Sequence, residues 1–384
     1  MAATLGPESI ARRGADVIVI GAGLHGCSVA LNLARHGARV VVLEKDYSGR
    51  HASGVNAGGV RTLGRHPAEI PLALAARDLW HRIGDLVDDD CGFASVGQIQ
   101  IAENDDEASQ LRARVQTLAA SGYDHERWLD AEELHARVPA LVPWVSGALI
   151  AEADGVADPF CTVLAFRRKA TALGARFVEG VAAHAAMPVA GQWQVSTSSG
   201  VFFAPRIVNC AGAWAGRFAS QWGEPVPLSP IAPMMMVTLR MRRFLHPVIL
   251  GTGRALSLKQ RANGTVLIGG ARRARLDHSR ERISLCLPSL AASARMVCEL
   301  FPFMRDAVVA RAWAGIEARM PDDLPVIGRS SRHESAFHAF GFSAHGFELG
   351  PIVGRIIAEL LTSGSTQLPI SSFSISRFQK EKRT

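Results

Sequence analysis

The chain has 384 residues, 48% of them hydrophobic, with a formal net charge of +7. That is enough apolar sequence for a large core and two packed domains. Its basic residues are dispersed except for a terminal "KEKR", which argues against nucleic-acid binding.

The opening "MAATLGPESIARRG" lacks the apolar core of a signal peptide. No run of about eighteen apolar residues marks a membrane span. The six cysteines (Cys27, Cys91, Cys161, Cys210, Cys286, Cys298) are isolated, with no CxxC pair. They are expected to be reduced core residues of a cytosolic protein.

The most informative segment is "ADVIVIGAGLHGCSVALNLARHGARVVVLEK". Val17 to Ile20 suit a buried parallel strand. Gly21, Gly23 and Gly26 follow as GxGxxG, and Ala30, Leu31 and Leu33 fall on one helical face. Gly37 ends that helix. Val40 to Leu43 make a second strand, with Glu44 at its end. Gly21 permits the tight turn, Gly23 lets a pyrophosphate approach the backbone, and Gly26 lets helix and strand pack closely. The helix N-terminus offers free N–H groups to phosphate, and Glu44 is expected to accept from a ribose. Leu24, His25 and Lys45 join these as candidate cofactor contacts. Strand, helix, second strand and acid in register predict a dinucleotide site. The fingerprint alone does not separate a flavin from a nicotinamide.

The loop "GRHASGVNAGGVRTLGR" (49–65) comes next. Its Ser53, Asn56, Ala57, Gly58 and Gly59 suit a backbone wrapped round a large cofactor. Strands are expected at "SVGQIQIAE" (95–103), "MMMVTLRM" (234–241) and "VLIGG". The uncharged stretch 180–205 reads as hairpin strands. "DEASQLRARVQTLAASG" and "SLAASARMVCELFP" read as structural helices. Gly350-Pro351 is expected to open the helix "PIVGRIIAELL". The Ser-rich segment past Thr366 reads as a surface tail. No metal is expected, because the histidines lack HxxxH or HxH spacing.

In the 49–65 loop the sequence resembles the FAD-dependent D-amino-acid oxidase superfamily. The likeness continues through "DGVADPFCTVLAFRRKATALGARFVEG", "IVNCAGAWAG", "NGTVLIGG", "WAGIEARMPDDLPVIG" and "GFSAHGFELGP", covering roughly residues 15 to 365. The resemblance implies an α/β FAD-binding Rossmann-like domain of the glutathione-reductase type, discontinuous in sequence. It also implies an α+β substrate domain on a mostly antiparallel sheet. The implied FAD domain is 15–93, 147–215 and 313–365. The substrate domain is 94–146 and 216–312, with terminal extensions 1–14 and 366–384. It places Val181, Ala211, Gly212, Gly346, Phe347 and Glu348 beside the cofactor.

The implied chemistry is hydride transfer from a carbon beside nitrogen to flavin N5, then hydrolysis of the imine. Arg61 is the first choice for a substrate carboxylate, with Lys259 and Arg272 as weaker candidates. Two positions depart from the simple oxidases. Glycine-oxidase-like members often carry Arg where this chain has Glu317. Sarcosine-oxidase-like members carry Lys where it has Glu348. The pattern is similar instead to the flavin subunits of opine oxidases and of D-proline or hydroxyproline dehydrogenases. Such subunits often work with partners carrying further redox centres.

Glu317 and Glu348 are candidates to bind a cationic substrate group or to take the amine proton. The alternatives are an ion pair of Glu317 with Arg319 or Arg311, and a helix-start carboxylate at Glu348. His345 is a candidate for the flavin edge or a loop brace. No Cys lies near "RMPDDLPVIG", so FAD is expected to be non-covalent. The setting is expected to be cytoplasmic or peripheral to the inner membrane. A stand-alone glycine, sarcosine or D-amino-acid oxidase, and a non-catalytic flavin-bound subunit, remain alternatives.

Overall fold

The computed structural model describes residues 14–270, 272–277 and 281–379. The N-terminal residues 1–13 and the basic "KEKR" lie outside the described residues.

Short apolar runs make the first sheet. Val17–Ile20 and Val40–Leu43 are buried at every position, as expected for parallel strands covered on both faces. The sheet has six strands in the order Val326–Arg329, Ala336–Phe340, Arg206–Asn209, Val17–Ile20, Val40–Leu43, Arg176–Val178. All neighbours are parallel except the antiparallel pair at the Val326–Arg329 edge. The nucleotide fingerprint therefore occupies the middle of the sheet. Its helix, Leu24–Arg35, packs on the last long helix, Gly346–Thr362, and on the crossing helix, Pro159–Ala172. The first contact is close because Gly354 faces Ser28. A Cβ on Gly354 would lie 2.4 Å from the Ser28 backbone carbon.

The uncharged stretch folds as expected, into an antiparallel sheet of Ala183–Val189, Gln192–Thr197 and Gly200–Ala204. A larger sheet of eight strands forms the second layer. It runs Val309–Ala314, Met234–Thr238, Val266–Gly269, Ser257–Gln260, Val248–Gly251, Gln98–Ala102, Gly147–Ala151, Arg127–Asp130. Its pairs are antiparallel except Val248–Gly251 with Gln98–Ala102. The helices Asp105–Ala120 and Leu287–Leu300 lie where the periodicity put them. Asn104 caps the first by accepting from Glu107 N–H.

Three expectations need adjustment. Gly147–Ala151 hydrogen-bonds within the eight-stranded sheet, not in the cofactor unit. The segment after Thr366 is not wholly superficial, since Phe373 and Ile375 are buried in the core. Only Cys27, Cys91 and Cys210 are buried, whereas Cys161 is exposed and Cys286 and Cys298 are intermediate.

Candidate active site

The strand-to-helix turn lines a cavity of about 360 Å³. Gly21 has φ +100°, and a Cβ there would lie 2.4 Å from Cys210 O. Gly23 N-caps the helix, and its missing side chain leaves room for Ser53. Ser53 Oγ accepts from Leu24 N–H at 2.9 Å, while the rest of the first turn keeps N–H groups for an anion. Gly21, Gly23, Leu24 and His25 all line the cavity. Gly26 does not; it works through packing, since a Cβ there would sit 1.9 Å from Gly21 O.

Glu44 and Lys45 line it too. Glu44 accepts from Ala22 N–H at 2.7 Å and Asp46 N–H at 3.0 Å. Burial pushes its carboxyl up from the ordinary value. Each carboxylate oxygen retains a second lone pair for a ribose hydroxyl. Val181 donates to Glu44 O, and the neighbouring Ala182, Ala183 and His184 form the wall in its place.

Asp46, His51 and Glu281 bring potential ligand atoms within 4.8 Å of one another. Lys45 Nζ bonds Asp46 at 2.7 Å and Glu281 at 2.5 Å, supplying the positive charge that this group requires. The same ammonium lies 4.2 Å over the Trp214 ring.

Asn56, Ile316, Glu317, Phe342, Ala344 and Phe347 also line the cavity. Ala211, Gly212 and Gly346 also line it. His25 stacks on Phe342 at 3.6 Å with the rings 3° apart. Burial lowers the His25 pKa to about 3, so this ring is neutral. Ala57, Gly58 and Gly59 stand behind the wall. Ala57 O accepts from Lys259 Nζ, and a Cβ on Gly58 would strike Ala157 O at 2.1 Å.

Glu317 meets neither of its expected partners. Arg319 pairs with Asp323, and the Glu317 carboxylate accepts from Ala344 N–H at 2.5 Å. Burial raises its pKa to about 7. Glu348 and His345 do not line the cavity. Glu348 is fully buried, and its Oε2 accepts from Arg65 at 2.6 and 3.1 Å. Burial and nearby Asp154 push its carboxyl up to about 8 against the pull of Arg65 and Arg61. His345 is held by Glu69 at 3.2 Å.

Arg61 does not line the cavity; it lies near this charged group, and the electrostatic pull of Asp154, Glu348 and Glu69 reaches it. Lys259 is buried, and its pKa falls to about 7. Arg272 lies apart from the cavity, near Met296.

Sequence reading missed Arg65, Trp80, His51 and Trp214. Trp80 Nε1 donates to Glu348 O at 2.8 Å and so braces the start of the last helix. That helix begins at Gly346 and contains Pro351. Its start is four residues earlier than expected, because a proline this close to the N-terminus forfeits one intrahelical bond.

The cavity wall thus combines an anion-accepting helix start, an acid-tipped strand, aromatic rings and the Glu317 carboxyl. An adenine dinucleotide with a second ring system fits these residues, and the glycine positions leave the backbone open where its phosphates must approach.

Known proteins agree with this reading. The FAD-dependent oxidoreductase family, DAO, matches residues 16–360. An opine oxidase subunit of Rhizobium meliloti is 25% identical, covering 96% of this chain and 98% of that protein. Glycine oxidase of Pseudomonas putida is 28% identical, covering 90% and 94%. The crystal structure of L-proline dehydrogenase from P. horikoshii superposes with a TM-score of 0.88 at 25% identity, covering 95% and 98%. Members of the family oxidise amines and amino acids at CH–NH donors with FAD. The chain belongs to the DAO family of FAD-dependent oxidoreductases.

Proposed function

We propose that the protein is the catalytic flavin subunit of a hetero-oligomer oxidising a secondary amine or imino acid of opine, D-proline or hydroxyproline type. The observation that carries this reading is an acidic residue in the cavity wall, Glu317, whose carboxyl is raised to about 7. Near neutral pH such a group accepts a hydrogen bond from a substrate ammonium or removes its proton. The likeness to an opine oxidase subunit and to L-proline dehydrogenase supports the substrate class, and the former supports partner subunits.

Arg61 is the proposed anchor for the substrate carboxylate. Its guanidinium has no side-chain hydrogen bond or ion pair among the described residues. Burial and Arg65 lower its pKa only to about 10, so it stays cationic. When bound, FAD supplies the acceptor for the hydride leaving the carbon beside nitrogen, and the imine product hydrolyses in water. Gly346 and Phe347, in the N-terminal turn of Gly346–Thr362, line the cavity, and the positive end of this helix would favour negative charge on a reduced flavin held there. Glu348 and His345 are assigned bracing roles behind this turn. Non-covalent FAD is part of the reading, as is a reducing, cytoplasmic setting, supported by six unpaired cysteines.

Arg61→Ala is expected to weaken substrate binding about 10–100-fold, the value of a charge-assisted pair, while FAD is retained. Stopped-flow reduction of the flavin at varied substrate measures this, and unchanged kinetics remove Arg61 from the site. Glu317→Gln is expected to abolish an inflection near pH 7 in the reduction rate. In the parent protein the rate rises with pH there, as the carboxyl loses its proton. A retained inflection in the variant assigns it to another group.

The glycine oxidase likeness favours a second reading, a stand-alone oxidase. Oxygen consumption by the isolated chain separates the two. A partnered dehydrogenase gives slow peroxide formation and fast transfer to an artificial acceptor, and a stand-alone oxidase gives fast peroxide formation.

A further inference from the structure

Among the described residues the strand Val309–Ala314 ends the eight-stranded sheet and pairs on one side only, with Met234–Thr238. Its first half is uncovered, with Val309, Ala310 and Arg311 exposed. An open edge of this kind carries unpaired backbone donors and acceptors and is a template for another strand. Natural edges are blunted by proline, bulges or covering loops. Here a bulge lies beside Val309, but no described segment covers the exposed half.

The surroundings are apolar and strongly basic. Leu239 is 55% exposed and Val308 58% exposed, and Leu239 N–H donates to Val308 O at 2.8 Å. Phe303 is also exposed and meets the Phe244 ring at 4.8 Å. The exposed residues of 239–243 and 302–311 include Arg240, Arg242, Arg243, Arg305 and Arg311 against a single acid, Asp306. None of these five arginines forms an ion pair among the described residues. Dispersed in sequence, they gather along one rim because Leu239 to Arg243 continues directly from the strand that pairs with the edge.

We infer that this edge is the docking surface for an acidic extended segment of a partner polypeptide, which adds as a further strand. The inference deepens the partner-subunit reading above and rests on it. Backbone bonds would supply affinity, alternating apolar side chains would cover Leu239, Val308 and Val309, and carboxylates would meet the arginines. A second copy of this chain is a poor occupant, because its own arginines would face these five. A lipid surface leaves the strand's backbone groups unpaired, at a cost that a partner strand avoids.

The test uses the FAD-loaded full chain and a fluorescent twelve-residue peptide alternating Val and Glu. The expected result is saturable, salt-sensitive binding with protection of the 308–311 amides from hydrogen exchange. An alternating Val and Lys peptide is expected not to bind. The double variant Arg242→Glu/Arg311→Glu is expected to weaken the Val/Glu peptide at least tenfold. It keeps its flavin spectrum and its reduction by substrate, which shows that it is folded. Because the readout is peptide binding, failure here leaves the amine-oxidation reading standing, and failure of that reading leaves the binding result intact. Three results overturn the inference. One is equal binding to the reversed variant or none to the parent. Another is edge protection by phosphatidylglycerol vesicles in place of the peptide. The third is edge protection in the peptide-free chain through self-association.

Discussion

Gly26→Ala is expected to yield a protein that purifies without bound flavin. The Cβ would stand 1.9 Å from the carbonyl oxygen and 3.1 Å from the carbonyl carbon of Gly21. Both are backbone atoms in the turn that cradles the phosphates, so no side chain can swing away. The helix Leu24–Arg35 must move off its strand, and its first turn moves with it. Overpacking costs about 1–3 kcal/mol and occasionally more, and the backbone clash puts this site at the upper end. Each ~1.4 kcal/mol is tenfold in affinity, so the dissociation constant for FAD is expected to rise about 100-fold or more. The flavin absorbance of the purified protein and a titration with added FAD measure the change. Gly84→Ala is the matched control. A Cβ there meets nothing within 4 Å, and alanine favours the helix, so flavin content should be unaffected.

At pH 8.5, where the Glu348 carboxyl of the parent protein is ionised, Arg65→Ala is expected to destabilise the fold by about 3–5 kcal/mol, the cost of stranding one partner of a buried ion pair. Arg65 is 2% exposed and Glu348 is fully buried. One oxygen of Glu348 and one nitrogen of Arg65 already lack partners. Without the guanidinium, burial and Asp154 hold the Glu348 carboxyl still further above its ordinary value. The sign of the pH dependence follows. Between the ordinary value of 4.5 and the raised folded value, about 8 in the parent protein, the folded state keeps a proton that the unfolded chain releases. Stability from this group is therefore fully present below about 4.5 and is lost as pH rises through the folded value. Arg65→Ala should lose stability with rising pH more steeply than the parent, by chemical denaturation at pH 5.5 and pH 8.5. The double variant Arg65→Met/Glu348→Leu, which leaves no stranded charge, should recover most of the loss. If it also keeps normal reduction by substrate, Glu348 is a brace. If its flavin is stable but no longer reduced, Glu348 belongs to the chemistry.

What was legible in the sequence was local or periodic. The strand, glycine turn, helix and acid from Val17 to Glu44 are contiguous, and each supplies its own signal. The long helices and the hairpins of the uncharged stretch were readable for the same reason. Pairing across the chain was not. Arg65 and Glu348 are 283 positions apart, and nothing near Glu348 in sequence announces a guanidinium. Arg61 and Arg65 lie four residues apart in one loop, and composition does not decide which one an interior carboxylate takes. Glu317 had two arginines nearby, yet the first settled on Asp323 and the carboxylate turned to a backbone N–H. Trp214 and His51 carried no such local signal either: Lys45 comes to lie over the Trp214 ring and His51 meets Asp46. The Pro351 signal misled by position: proline is common at a helix start, but Trp80 and the Gly346 backbone fix the start four residues earlier.

The most direct measurement is anaerobic reduction of the FAD-loaded chain by octopine, nopaline, D-proline, hydroxyproline isomers, sarcosine and glycine. The expected result is full bleaching of the flavin by a secondary amine or imino acid of the opine or proline type, at least tenfold faster than by glycine or sarcosine. Bleaching by glycine or sarcosine alone, or by none of the panel, would contradict it.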